Sequence, residues 1–247
     1  MTNTSLAIGW LYGHEMNIYG DRGNVMALAR RAEWRGIDTS VATIGVGEPL
    51  DPERYDLYFW GGGQDREQIT VSRDLAGAKG QALKAAIEDD VPILAVCGGY
   101  QFLGHSYHPF EGDDLPGIGV MNVTSEAGHD RYIGNVVVDA GELGTLVGFE
   151  NHSGKTWLGD GVQPLGRVRV GNGNNGTDGT EGARYRNAIG CYLHGSLLPK
   201  NPHLSDWLIA AALRRKYGTD ITLAPLDDVF EQQAHDAVVA RALSLRR

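Results

Sequence analysis

The sequence predicts an α/β protein with a mostly parallel central sheet, flanking helices and an antiparallel extension. Three observations carry the α/β part. Through the first hundred residues, short apolar runs alternate with stretches of helical periodicity, the signature of βαβ units. Two glycine clusters, Gly61-Gly62-Gly63 and Gly98-Gly99, each follow directly on an apolar run, where a parallel strand would hand over to its next segment. Beyond about residue 117 the character shifts to strand-like runs parted by glycine and asparagine turns, which reads as an antiparallel extension of the sheet.

Taken in order, Ser5 to Tyr12 reads as a buried first strand. Arg22 to Gly36 reads as a helix, with Val25, Met26, Leu28, Ala29 and Ala32 at helical spacing and Gly36 as its stop. Thr39 to Val46 alternates like a second strand, and Asp56 to Trp60 is a third that ends in Gly61-Gly62-Gly63-Gln64. Leu75 to Asp89 reads as one helix, and Ile93 to Val96 as the strand leading to Cys97. Gly134 to Val138 and Gly166 to Val170 follow as strands. Gly171 to Gly182 is a loop by composition, read either as a flexible hairpin connection or as part of a subunit interface. Ile189 to Leu193 is a further strand, and His203 to Tyr217 and Asp227 to Arg246 are packing helices. Residues 1–217 form the expected domain, with 218–247 as a helical extension.

A length of 247 residues and an apolar content of 42% suit one such domain. A net charge of −9 argues against nucleic acid or an anionic membrane surface as the main partner. Two cysteines at unrelated positions give neither a disulfide framework nor zinc spacing. With no basic n-region at the N-terminus, a cytoplasmic location is expected, and no metal is expected either.

Val91-Pro92-Ile93-Leu94-Ala95-Val96-Cys97-Gly98-Gly99-Tyr100-Gln101 holds the chemistry. A lone cysteine is usually a small core residue. A buried strand centre, however, has no need of two following glycines, whereas a sharp strand-to-helix elbow does. A thiol on such an elbow lies beside helix N-terminal amides, which can lower its pKa and hold an oxyanion. Cys191, in Ala188-Ile189-Gly190-Cys191-Tyr192-Leu193, lacks that context and reads as packing. A cysteine nucleophile needs a base. His194 ends a second apolar strand and precedes Gly195, the same kind of position as Cys97, so it is the candidate. His152, in Glu150-Asn151-His152-Ser153-Gly154, is the rival. His105, His108 and His129 show no metal-ligand spacing. The oxyanion donors would be the Gly98 amide and one from the 61–63 turn, with Gly63 favoured.

Val96-Cys97-Gly98-Gly99-Tyr100-Gln101 resembles the cobyric acid synthase (CobB/CobQ-like) branch of the class I glutamine amidotransferases, with Ala95 where many relatives outside that branch carry glycine. Tyr19-Gly20-Asp21-Arg22-Gly23-Asn24, Gly61-Gly62-Gly63-Gln64-Asp65, Phe149-Glu150-Asn151-His152, Gly173-Asn174-Asn175-Gly176, Tyr192-Leu193-His194-Gly195 and Leu197-Leu198-Pro199-Lys200-Asn201-Pro202 narrow the resemblance. As an ordered set over about residues 5–217, they are similar to the GatD family, the glutaminase subunits of lipid II isoglutaminyl synthases. The resemblance implies a glutaminase that supplies ammonia to a MurT-like subunit of the Mur-ligase family. That partner would use ATP and Mg to amidate the α-carboxylate of D-glutamate in the lipid II stem peptide, and no cofactor is implied in this chain. It implies Cys97 as nucleophile, His194 as base and Arg131 as a binder of the glutamine carboxylate, with Gln101 a further candidate for that pocket. Many superfamily members carry a glutamate two residues after the histidine; here that position is Ser196. An acid from the partner is therefore expected to orient His194, with Glu150 as the internal alternative. Amidation of a corrinoid or other carboxylate, a partner-independent γ-glutamyl hydrolase and a non-catalytic binding protein are the competing readings.

Overall fold

The computed structural model describes residues 4–218 and 221–245. Its order is β1 (Ser5–Leu11), α1 (Arg22–Glu33), β2 (Asp38–Ile44), β3 (Leu57–Trp60), α2 (Asp65–Leu75), α3 (Ala78–Glu88), β4 (Ile93–Val96) and α4 (Gly98–Leu103). Then come β5 (Ser106–His108), β6 (Leu115–Pro116), β7 (Val123–Asp139), β8 (Thr145–Leu158), β9 (Gly166–Val170), β10 (Thr180–Glu181), β11 (Ala183–Tyr185) and β12 (Ala188–Cys191). The helices α5 (Leu197–Lys200), α6 (Pro202–Tyr217) and α7 (Val229–Ser244) close the chain.

The first sheet has the order β11-β12-β4-β3-β1-β2, parallel throughout except for the β11 edge. Strands β3, β4 and β12 are buried at every position. That is why they read as continuous apolar runs without alternation. A parallel sheet aligns its strand ends, so β4 delivers Cys97 between the end of β3, which carries Gly61 to Gly63, and the end of β12, which leads to His194. The site is a product of strand order.

The antiparallel strands do not extend this sheet, as the sequence suggests, but form a second one in which the long β7 pairs with β5, β8 and β9. The β7–β8 register slips between Ala127 and Tyr132, and the bulge projects Arg131 from the ladder. The helix expected over 75–89 is α3 alone; α2 precedes it and ends at Leu75, and Gly77 divides the two. The missed α2 buries only Gln68, Val71, Ser72 and Leu75, two of them polar, so its apolar stripe is thin.

Residues 171–182 are tied in by side-chain hydrogen bonds rather than left as a flexible connection, with Gly176 to Gly179 exposed at the tip. Asn174 and Asn175 are fully buried, and the Asn174 amide donates to Thr180 Oγ1 and the Gly182 carbonyl at 3.0 and 2.9 Å. Side-chain amides replace the regular ladder there, which composition alone does not reveal. In the C-terminal stretch, α7 packs on α5, β7 and β8, while residues 1–3, 219, 220, 246 and 247 lie outside the described residues.

Candidate active site

Cys97 has φ +53° and ψ −108°, off the regular regions for an L-residue, at the junction of β4 and α4. Such strain persists only where the surroundings over-determine it. Here the Cys97 amide donates to the Cys191 carbonyl on β12 at 2.8 Å, and its own carbonyl accepts from the Gln101 amide at 2.9 Å. Gly99 fits tightly: a side-chain carbon there would lie 2.8 Å from both Trp60 Cγ and the Trp60 carbonyl oxygen. A cleft of about 450 Å³ opens over Cys97, walled in part by Tyr19, Gly63, Gln68, Gln101, Arg131 and His152.

His194 is fully buried and pinned by paired main-chain hydrogen bonds to Phe149 on β8, at 2.9 and 3.1 Å. Gly62 lies between it and the cysteine. A side-chain carbon at position 62 would come within 3.0 Å of His194 Cε1 and 3.2 Å of Cys97 Cβ. The glycine cluster therefore lets nucleophile and base approach each other. Burial opposes a charge on His194, but the neighbouring Cys97 and Asp21 outweigh it and raise its pKa well above the ordinary imidazole value.

Asp21 is the residue that sequence reasoning missed. It is fully buried, its Oδ2 accepts from the Gly62 amide at 2.8 Å, and its Oδ1 lies 3.6 Å from His194 Nδ1. That separation is a charge contact rather than a hydrogen bond, and neither atom has another partner among the described residues. Two bonds draw the Asp21 turn to the histidine: Ser196 Oγ donates to the Gly20 carbonyl at 2.8 Å, and the Leu198 amide donates to Asn24 Oδ1 at 2.9 Å. Ser196, read as the position of a missing acid, instead fastens the turn that presents one. Glu150 is not placed for the role, because its carboxylate accepts from the Asn172 amide, the Asn172 side chain and the Gly173 amide. Asp21, which faces Nδ1, is the acid that this chain itself brings nearest to His194 among the described residues.

The amides of Gly63 and Gly98 donate to no acceptor among the described residues and lie close together. A side-chain carbon at 98 would be 3.3 Å from the Gly63 nitrogen. Two free donors beside the thiol are the geometry an oxyanion requires. Arg131 Nε donates to Asn151 Oδ1 at 2.7 Å and Nη2 to the Tyr19 hydroxyl at 3.0 Å, which holds the guanidinium at the cleft wall with Nη1 uncommitted among the described residues. Tyr19 in turn sets its ring edge-on against His194, with centroids 5.1 Å apart. Gln101 also lines the cleft, but both ends of its amide are engaged: Oε1 accepts from Gln68 at 2.7 Å and Nε2 donates to the Tyr192 hydroxyl at 3.1 Å. His152, the rival base, stacks on the Tyr192 ring instead of meeting the thiol. Cys191 is buried in the sheet, where burial and the nearby Glu181 push its pKa up, as packing would have it.

Comparison with known proteins identifies the family. Residues 7–202 match the family model of the CobB/CobQ-like glutamine amidotransferase domain. The chain is 40% identical over 237 residues to a lipid II isoglutaminyl synthase (glutamine-hydrolyzing) subunit GatD of Staphylococcus aureus, covering 96% of each. It is 40% identical over 230 residues to the GatD subunit of Streptococcus pneumoniae, covering 92% of this chain and 88% of that one. Among solved structures, the fold is similar to that of a chain in PurLQS from Thermotoga maritima, with a TM-score of 0.56 at 15% identity, covering 87% of this chain and 99% of that one. It is also similar to the glutaminase domain of Trypanosoma brucei CTPS, with a TM-score of 0.53 at 11% identity, covering 89% and 96%. The chain belongs to the CobB/CobQ-like glutamine amidotransferase family, in its GatD branch.

Proposed function

We propose that this amidotransferase hydrolyses L-glutamine through a Cys97 thioester and passes the ammonia to a MurT-like, ATP-dependent ligase subunit. That ligase would amidate the α-carboxylate of D-glutamate in lipid II. The observation that carries the chemistry is Cys97 on a strained elbow, with a buried histidine and two free amides converging on it. The acceptor is supported by likeness to the two GatD subunits along nearly their whole length. Cobyric acid synthases are similar over less of themselves. The one from Methanothermobacter thermautotrophicus is 31% identical over 199 residues, which is 38% of its length. This favours the two-subunit reading over a corrinoid acceptor.

In this mechanism His194 takes the Cys97 proton and the thiolate attacks the glutamine side-chain carbonyl carbon. The Gly98 and Gly63 amides hold the oxyanion, and Asp21 steadies the imidazolium that forms. His194 returns the proton to the leaving nitrogen, ammonia departs, and water then releases glutamate from the thioester. Arg131 offers Nη1 to the substrate α-carboxylate. ATP and Mg²⁺ belong to the partner, and the lipid II headgroup places the reaction at the cytoplasmic face. Among the described residues no helix is long and apolar enough to cross a membrane.

The test supplies the chain and its partner with ATP, lipid II and glutamine labelled with ¹⁵N in the side-chain amide. The label is expected in the new α-carboxamide, and Cys97→Ala should abolish the transfer. Labelled ammonia released in full to solvent, with the acceptor unchanged, would support a partner-independent hydrolase instead.

A further inference from the structure

His152 has a conformation that neither catalysis nor packing explains. It lies on β8, is 3% exposed, and shares the wall of the Cys97 cleft with Arg131. Its ring is stacked on Tyr192 with centroids 3.7 Å apart at 6°, and the Tyr132 ring abuts it edge-on at 5.5 Å. Nδ1 lies 2.7 Å from the Gly154 carbonyl oxygen. A carbonyl can only accept, so Nδ1 carries the hydrogen, and Nε2 of the neutral ring is left with a bare lone pair. That Nε2 is buried and has no partner among the described residues. Burial, with smaller contributions from the nearby His194 and Arg131 charges, outweighs the Gly154 bond and lowers the pKa to about 3. The ring therefore stays neutral at any working pH. A buried acceptor without a donor is costly unless a ligand supplies one.

Glutamine carries two groups at its α-carbon, a carboxylate and an ammonium. Arg131 suits the first and repels the second. Two of the side-chain amide oxygens at this wall already accept, Gln101 Oε1 from Gln68 and Asn151 Oδ1 from Arg131 Nε. Asp65 also borders the cleft, but it is exposed at the start of α2, where it is hydrated and matched to the helix N-terminus.

Building on the glutaminase reading, we propose that His152 Nε2 accepts a hydrogen bond from the α-ammonium of the substrate, and so makes the site selective for an α-amino acid amide. Arg131 and His152 would then read the two α-substituents from one side of the cleft while Cys97 attacks the far end. The stack on Tyr192 fixes the plane of the lone pair. The Gly154 bond fixes the tautomer.

The experiment compares kcat/KM for glutamine and for glutaramic acid, which keeps the carboxylate and the side-chain amide but lacks the α-amino group. It uses the chain with its partner subunit, as wild type, His152→Leu and His152→Gln. A hydrogen bond to a charged group is worth roughly 10- to 100-fold in such a ratio. His152→Leu is expected to lose about that much on glutamine and less than about 3-fold on glutaramic acid, and His152→Gln, which keeps an acceptor, to regain part of the loss. Equal losses on both substrates would show a packing role and overturn the inference while leaving the glutaminase reading intact. Equal kcat/KM for the two substrates in the wild type would overturn it without recourse to any variant. Absence of Cys97-dependent glutamine hydrolysis in the wild type would overturn the glutaminase reading itself, and this inference with it.

Discussion

Glu181 is a buried carboxyl that the chemistry does not use. It is fully buried beneath the strand that leads to His194, its Oε1 accepts from the Tyr192 amide at 2.6 Å, and its Oε2 has no partner among the described residues. Burial, reinforced by the nearby Glu150 and opposed by the Tyr192 and Gly182 amides, pushes its pKa up to about 8 from the ordinary 4.5. A folded pKa above the unfolded one means that the native state holds the proton more tightly. That stabilisation is complete below pH 4.5 and is lost as the pH rises through 8. Glu181→Gln mimics the protonated form. Thermal unfolding should show the wild-type Tm falling between pH 5 and 8 by roughly 10 °C more than that of the variant. Parallel profiles would mean that the carboxyl is ionised in the fold. The sequence hides this residue, because Thr180-Glu181-Gly182 reads as a polar turn and only the strand pairing buries it.

At the scale of elements, Arg31 on α1 ties the C-terminal segments to the sheet. Its guanidinium, almost fully buried, holds Asp206 on α6 at 2.7 and 2.8 Å and Asp228, just before α7, at 2.5 and 2.9 Å. Arg35 adds a second contact to Asp206 at 2.7 Å. Arg31→Met keeps the apolar stem but leaves Asp228 without its partner. It should cost about 3 kcal/mol in urea unfolding and raise amide exchange along α7 before other helices. Unchanged exchange in α7 would mean that its apolar contacts alone seat it. Helical spacing revealed α1, α6 and α7 as helices, but it says nothing of what Arg31 binds. Its partners lie 175 and 197 residues away, which no local pattern can encode. The antiparallel strands illustrate the same limit. Gly166 to Val170 alternates as a half-buried strand should and Val136 to Val138 is a continuous apolar run, yet neither pattern says which sheet a strand joins.

At the scale of the molecule, the site assembles where β3, β4 and β12 end side by side, with the Asp21 turn folded across them. Cys97, His194 and the glycine clusters were legible because each follows an apolar run, and a parallel sheet gathers such ends. Asp21 was not. It lies in a turn, and its approach to His194 depends on the Ser196–Gly20 and Leu198–Asn24 bonds between segments some 175 residues apart. The central claim is that this chain carries its own orienting acid beside a Cys97–His194 pair. The most direct measurement is glutamate release from glutamine by wild type, Cys97→Ala and Asp21→Asn, each alone and with the partner subunit. Asparagine keeps an oxygen for the Gly62 amide but withdraws the charge from His194. The account expects Cys97→Ala to be inactive and Asp21→Asn to fall about 10²- to 10⁴-fold in kcat in both settings. Full activity of Asp21→Asn in the assembly would contradict it and place the orienting acid on the partner.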